Sequence, residues 1–119
     1  PLRQITDASR LLQMSAAVEE VHVHPDLETY IASLVHATRK DRHVAVGGSP
    51  RASLAFLKMS RARAAILGRE FVIPDDIKHF SVPVLSHRLM LQPEHWMTSH
   101  VAEDVIADVF ARTPVPVVD

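Results

Sequence analysis

The sequence predicts an all-α fold, a small helical bundle of about five helices. Hydrophobic residues make up 47 % of the 119 residues but aromatic residues only 5 %, a composition that favours close helix packing over a β-sandwich. Apolar residues recur at helical spacing in several segments, and these segments are bounded by residues that favour helix ends.

The first two helices are predicted over residues 8–19 and from Pro25 onward, with an extended link at 21–24. Thr6 or Asp7 can cap the first helix. Its predicted inner face is Leu11, Leu12, Met14, Ser15 and Val18. The second helix has the clearest buried stripe, which is Leu27, Tyr30, Ile31, Leu34 and Val35.

The third helix is predicted to begin in the turn Gly47-Gly48-Ser49-Pro50-Arg51 and to run to Gly68, a C-cap candidate. Serine is a preferred N-cap, and proline is favoured at the first helical position. The predicted packing face of this helix is Ala55, Met59, Ala62 and Ile66. A basic stripe is predicted on another side, formed by Arg51, Lys58, Arg61 and Arg69.

A fourth helix is predicted to start at Pro74-Asp75-Asp76, with a kink or break near Ser81 because Pro83 lies inside its pattern. Its inward residues are Ile77, Phe80, Val84 and Leu85. Residues 89–97 are predicted as a loop, and Thr98 or Ser99 starts the last helix. The buried set of that helix is Val101, Val105, Ile106, Val109 and Phe110.

Arg51 is the most informative candidate site residue. It falls in the first turn of a helix, where the positive end of the dipole disfavours a cation. A bound anion would reverse this sign, because free backbone N–H groups and a guanidinium would then converge on one negative charge. Phosphate is the obvious candidate. The alternative is a solvated arginine paired with a nearby carboxylate.

Composition and motifs exclude several other functions. The formal net charge of −1 provides no general positive field for nucleic acid, and the absence of cysteine excludes thiolate metal sites. There is no P-loop, no glycine-rich dinucleotide motif, no His-Glu-x-x-His and no Gly-x-Ser-x-Gly. The eight histidines are scattered, so no metal site is predicted, and Asp75-Asp76 indicates a helix start rather than paired catalytic acids.

Four blocks in register resemble the C-terminal helical lid domain of MoxR-family AAA+ ATPases. They are Tyr30–Arg39, Gly47–Ala52, Gly68–Lys78 and Val84–Leu89. The resemblance implies that residues 1–119 form a single AAA+ lid domain, a fragment of a longer ATPase without the nucleotide-binding core. It also implies that Arg51 is the sensor-2 arginine, which contacts the phosphate of ATP. Arg61 and Arg63 are expected to be surface charges, and Arg39 is expected to make a structural or inter-domain salt bridge.

Further expectations follow from the resemblance. ATP and Mg²⁺ would be held mainly by the missing core, so this fragment alone should be inactive. Its partners would be its own core domain and neighbouring subunits of a ring, a hexamer by family, in a cytoplasmic, chaperone-like remodelling ATPase; no nucleic acid or membrane partner is expected. The alternative is a helical DNA- or protein-interaction module without a nucleotide role.

Overall fold

The computed structural model describes residues 1–117, and it confirms a predominantly helical fold. The chain has six α-helices, two short strands and one 3₁₀ turn in this range. In chain order they are α1 (Ala8–Glu19), α2 (Pro25–Lys40), β1 (Val44–Val46), α3 (Pro50–Ile66), α4 (Pro74–His79), α5 (Ser81–Leu85), β2 (Met90–Leu91), the 3₁₀ turn (Pro93–His95) and α6 (Val101–Arg112). The body is flat, with principal extents of 50 × 44 × 19 Å.

Helix α2 forms a central part of the hydrophobic core. All five positions of its predicted stripe are buried, and Thr38 extends the buried row by one more turn. His24 caps the helix, because its Nδ1 accepts the Asp26 amide hydrogen at 3.0 Å. The spacing of apolar residues therefore predicted this helix and its packing face correctly.

Helix α3 has the predicted limits but buries a different face. Its fully buried residues form one i, i+4 row, namely Ala52, Phe56, Ser60 and Ala64. The predicted face was wrong, because Met59 and Ile66 are exposed, and Ala55 and Ala62 are only half-buried. The helix is apolar on most sides, so periodicity alone does not select one side. At its end Gly68 has a φ of 77°, and the amide of Arg69 reaches the Ala64 carbonyl, as in a Schellman motif.

Helix α1 also has the predicted limits, and Asp7 caps it by accepting the Arg10 amide hydrogen at 2.8 Å. Its predicted inner face was wrong, because no residue of α1 is buried and only Val18 is half-buried. Leu11, Leu12 and Met14 are exposed by 53 %, 71 % and 52 %. The helix packs on α3, and these three apolar side chains stay largely exposed within residues 1–117.

The predicted break in the fourth helical segment is confirmed at Phe80, which separates α4 from α5. Ile77, Val84 and Leu85 are buried as predicted, and Phe80 is half-buried. Arg88 donates to the Val84 carbonyl at 2.6 Å, so this cation serves a helix C-terminus.

Helix α6 starts at Val101, two to three residues later than predicted, after His100 in a left-handed conformation with a φ of 68°. Val105, Ile106 and Val109 are buried against the core, and Val101 and Phe110 are half-buried. The antiparallel pair β1–β2 was not predicted, and the prediction of a loop over 89–97 was wrong where β2 and the 3₁₀ turn lie. The strand pair is short, with Val44 opposite Leu91 and Val46 opposite Met90. Among the described helices, none is long and apolar enough to cross a membrane.

Candidate functional site

The turn before α3 has the predicted capping geometry. Ser49 is extended, its Oγ accepts the Arg51 amide hydrogen at 3.2 Å, and its carbonyl accepts the Ala52 amide hydrogen at 2.9 Å. Pro50 occupies the first turn, where no acidic residue is present. Arg51 therefore lies at the positive end of a 17-residue helix, as the sequence indicated.

The Arg51 guanidinium makes no hydrogen bond and no salt bridge within residues 1–117, and the residue is exposed. No carboxylate within residues 1–117 pairs with it, whereas its exposure agrees with the solvated arginine of the alternative interpretation. A cation at a helix N-terminus is unfavourable by about 0.3–1 kcal/mol. Nothing within the described residues offsets that penalty.

Helix α2 contacts this turn at Gly48, which is buried. The Gly48 amide donates to Thr38 Oγ1 at 2.9 Å, and Arg39 Nε donates to the Gly48 carbonyl at 2.7 Å. Arg39 thus has a structural role, as expected, but through a carbonyl rather than through a salt bridge.

Thr38 was not singled out from the sequence, although a signal existed. It lies four residues after Leu34 and three after Val35, so it continues the buried stripe with a polar side chain. A buried hydroxyl needs hydrogen-bond partners. The Thr38 hydroxyl donates to the Val35 carbonyl and accepts the amide hydrogen of Gly48, which lies in the turn that carries Arg51.

The basic stripe predicted along α3 is not a continuous free surface. Arg61 donates to the Val21 carbonyl at 3.1 Å and lies 3.5 Å from Glu19. Arg63 and Arg69 both bind Asp76. The expectation that Arg61 and Arg63 are plain surface charges was therefore wrong, since both are half-buried and bonded to the body of the domain.

Comparison of the sequence with known proteins assigns the chain to a family. The sequence model of the family described as AAA lid domain matches residues 36–109, which run from the end of α2 into α6. The chain belongs to the AAA lid domain family. The match includes Thr38, Arg39 and Arg51, so the whole Gly48 turn lies inside the family region of this lid domain.

Relatives of the lid domain include MoxR proteins. The lid domain is 33 % identical to "Chaperone MoxR1" of Mycobacterium tuberculosis over 126 aligned positions, with 98 % of the chain and 33 % of that protein covered. It is 36 % identical to YeaC of Bacillus subtilis over 100 positions, with 84 % of the chain and 31 % of YeaC covered. "Protein MoxR" of Methylorubrum extorquens is 28 % identical, with 94 % of the chain and 37 % of that protein covered. The lid domain thus spans about a third of these relatives.

A solved structure has the same fold. The crystal structure of a candidate ATPase from Cytophaga hutchinsonii superposes with a TM-score of 0.91 at 24 % identity, covering 97 % of the lid domain and 38 % of that protein. At this identity the likeness concerns the fold. The lid domain is a helical AAA lid domain, and it is similar in sequence to the MoxR proteins.

Apart from the Arg51 turn, the lid domain has a polar cluster around Asp76, which is fully buried at the start of α4. Its Oδ1 accepts hydrogen bonds from Arg63 and Arg69 at 2.6 Å each, and its Oδ2 accepts from Arg69 and from the Ile73 amide at 2.8 Å each. Burial alone would raise the pKa of the Asp76 carboxyl, but these hydrogen bonds outweigh it and hold that pKa below its usual value. The cluster joins the end of α3 to the start of α4. The reading of Pro-Asp-Asp as a helix start is confirmed.

The histidines form no ligand set of the required size. Within the described residues no group of three or more His, Asp or Glu side chains could hold a metal ion. His24, which shares the 21–24 link with His22, uses its Nδ1 as the cap of α2. The Arg51 guanidinium, without a partner within residues 1–117, lies in the first turn of α3 and inside the family region of the lid domain.

Proposed function

We propose that Arg51 is the sensor-2 arginine of a MoxR-type AAA+ ATPase and that this lid domain contacts an ATP phosphate through it. One observation carries the proposal. The first turn of α3 is held by hydrogen bonds at Gly48 and Ser49, and it exposes Arg51, whose guanidinium has no partner within residues 1–117. The membership in the AAA lid domain family and the relative named as a chaperone support it.

The chemistry of the turn fits a phosphate. A guanidinium matches phosphate oxygens with two parallel N–H donors, and the helix dipole adds positive potential at the same place. A phosphate would thus convert the unfavourable position of Arg51 into a favourable one. During phosphoryl transfer such an arginine stabilises the charge on the phosphate oxygens.

Helix α3 can transmit this contact to the rest of the lid domain. It packs on α1, α2, α4 and α5, and its i, i+4 row from Ala52 to Ala64 is fully buried. Because packed cores do not deform continuously, a displacement at Arg51 moves the domain as one body. In this way the lid domain couples ATP binding and hydrolysis to motion between domains.

The remaining parts of the proposal concern the parent protein. ATP and Mg²⁺ are held mainly by its nucleotide-binding core, and the lid domain supplies one arginine. The core domain and neighbouring subunits of a ring are its partners, in a cytoplasmic, chaperone-like ATPase. Relatives about three times as long as this chain leave room for such a core.

The test is the ATP turnover of the parent protein. Arg51→Ala should lower kcat about a hundredfold, the effect typical of removing one donor to a developing anion. Lys58→Ala is the matched control, because Lys58 is an exposed cation on the same helix without a partner within residues 1–117; its kcat should stay within twofold.

The Arg51→Lys variant separates charge from geometry. It keeps the cation but loses the planar pair of donors. We expect kcat between those of the wild type and Arg51→Ala. Normal turnover in Arg51→Ala would refute the proposed function.

A further inference from the structure

The turn that carries Arg51 is bonded to α2 through both backbone groups of one residue, Gly48. Its amide donates to Thr38 Oγ1 at 2.9 Å, and its carbonyl accepts from Arg39 Nε at 2.7 Å. The two partners are neighbours in the last turn of α2. Rotation of the Gly48 peptide groups would break one or both bonds, so the direction in which the chain enters α3 is fixed.

Thr38 is suited to this role because it is fully buried and both its polar functions are used. Its hydroxyl donates to the Val35 carbonyl at 2.6 Å while it accepts the Gly48 amide hydrogen. Replacing it with valine keeps the shape of the side chain but leaves a buried N–H without an acceptor. Such an orphaned donor is unfavourable and favours rearrangement of the turn.

The adjacent glycine closes the contact. A Cβ at Gly47 would lie 2.6 Å from Cα and 2.7 Å from the backbone nitrogen of Arg39. Only a residue without a side chain allows the turn to lie directly on the α2 backbone here. The Gly47–Gly48 segment and the end of α2 therefore form one rigid support.

We infer that Thr38 and Arg39 are positioning residues for Arg51: they hold the Gly48 turn so that the guanidinium is presented in one direction. The inference rests on the proposed function of Arg51. Neither residue is required to touch the nucleotide. Their effect on turnover acts through Arg51, and it disappears when Arg51 is absent.

A double-mutant cycle in the full-length parent ATPase tests this. Thr38→Val should lower kcat on the order of tenfold, because misplacing a catalytic group by a fraction of an ångström slows the reaction substantially. In the Arg51→Ala background the same Thr38→Val change should leave the residual kcat unaltered within twofold. Thr38→Ser, which restores the hydroxyl, should recover turnover.

Thr29→Val is the matched control, since Thr29 is an exposed threonine of α2 whose hydroxyl, within residues 1–117, bonds only the Pro25 carbonyl. It should leave kcat unchanged in both backgrounds. A loss of kcat from Thr38→Val that is equal in both backgrounds would overturn the inference, because it would show a general structural effect. No loss from Thr38→Val would overturn it as well.

Arg39→Lys provides a second route if Thr38→Val does not fold. Arg39 is exposed, and lysine keeps the charge but removes the Nε donor to Gly48. We expect about a threefold loss of kcat with Arg51 present and none without it. Slow turnover in Arg51→Ala combined with equal Arg39→Lys losses in both backgrounds would refute only this inference. Normal turnover in Arg51→Ala would refute the proposed function itself.

Discussion

At the C-terminal end of α3, Arg63 joins Arg69 in holding the buried carboxylate of Asp76, whereas at its N-terminal end Arg51 has no partner within residues 1–117. The same side chain thus has opposite relations to the fold at the two ends of one helix. At one end the dipole and a carboxylate both favour the cation, and at the other neither does. Of the arginines at the two ends of α3, Arg51 is the one that the described part of the fold does not bind, and it is the one that we propose for the phosphate.

The largest expected effect is on the Asp76 cluster. Asp76→Ala should lower the free energy of unfolding by about 3 kcal/mol, because it leaves two half-buried guanidinium groups without their carboxylate. Urea denaturation measures this. Asp75→Ala, which removes an exposed acid from the same first turn, is the control and should lower it by less than about 1 kcal/mol.

The two glycines of the Arg51 turn should differ from each other. Gly47→Ala should lower the free energy of unfolding by about 2 kcal/mol, because its Cβ would meet the Arg39 backbone at 2.6 Å. Gly48→Ala should be milder, at about 1 kcal/mol or less, because its Cβ would meet the Val35 Cγ1 at 3.1 Å and side chains can shift. Equal losses in thermal or urea unfolding would contradict the close contact at Gly47.

Acid should weaken the ion pairs around Asp76. The pKa of Asp76 is lowered in the folded state, so its stabilising contribution is fully present above the unfolded pKa of about 4 and is lost as the pH falls through the folded value. The difference in unfolding free energy between wild type and Asp76→Ala should therefore shrink as the pH falls below about 4. A difference independent of pH would contradict the assigned ion pairs.

The smallest effect should have the opposite sign. Arg51→Ala removes a cation from a helix N-terminus and introduces a better helix former, so the free energy of unfolding should rise by about 0.3–0.5 kcal/mol. Arg63→Ala should instead lower it by about 1–2 kcal/mol, because it removes a hydrogen bond to buried Asp76. A destabilised Arg51→Ala variant would show that Arg51 has a structural role.

Much of the fold was predictable where apolar spacing and end residues agree. The buried stripe of α2, the Ser49 cap, the Gly68 end and the break before Pro83 all follow local rules that tertiary contacts did not override. The face of α3 was not predictable, because its apolar residues surround the helix. The exposed leucines of α1 were not predictable either, since an amphipathic pattern does not say whether a covering element lies within the same segment.

The candidate site was only half predictable. Arg51 and its cap follow from residue preferences at helix ends, but the hydrogen bonds to Thr38 and Arg39 join residues nine and ten positions apart. The hydrogen bond from Arg63 to Asp76 joins residues 13 positions apart. Single-sequence spacing gives no geometric information at that range. It therefore treated Arg63 as a surface charge and passed over Thr38.

The most direct measurement compares turnover and stability in one preparation of the parent ATPase with Arg51→Ala. We predict that kcat falls about a hundredfold while the unfolding midpoint of the lid domain stays equal to or slightly above that of the wild type. Unchanged kcat would contradict the sensor role of Arg51. A parallel fall of kcat and unfolding midpoint would contradict the contrast between the two ends of α3.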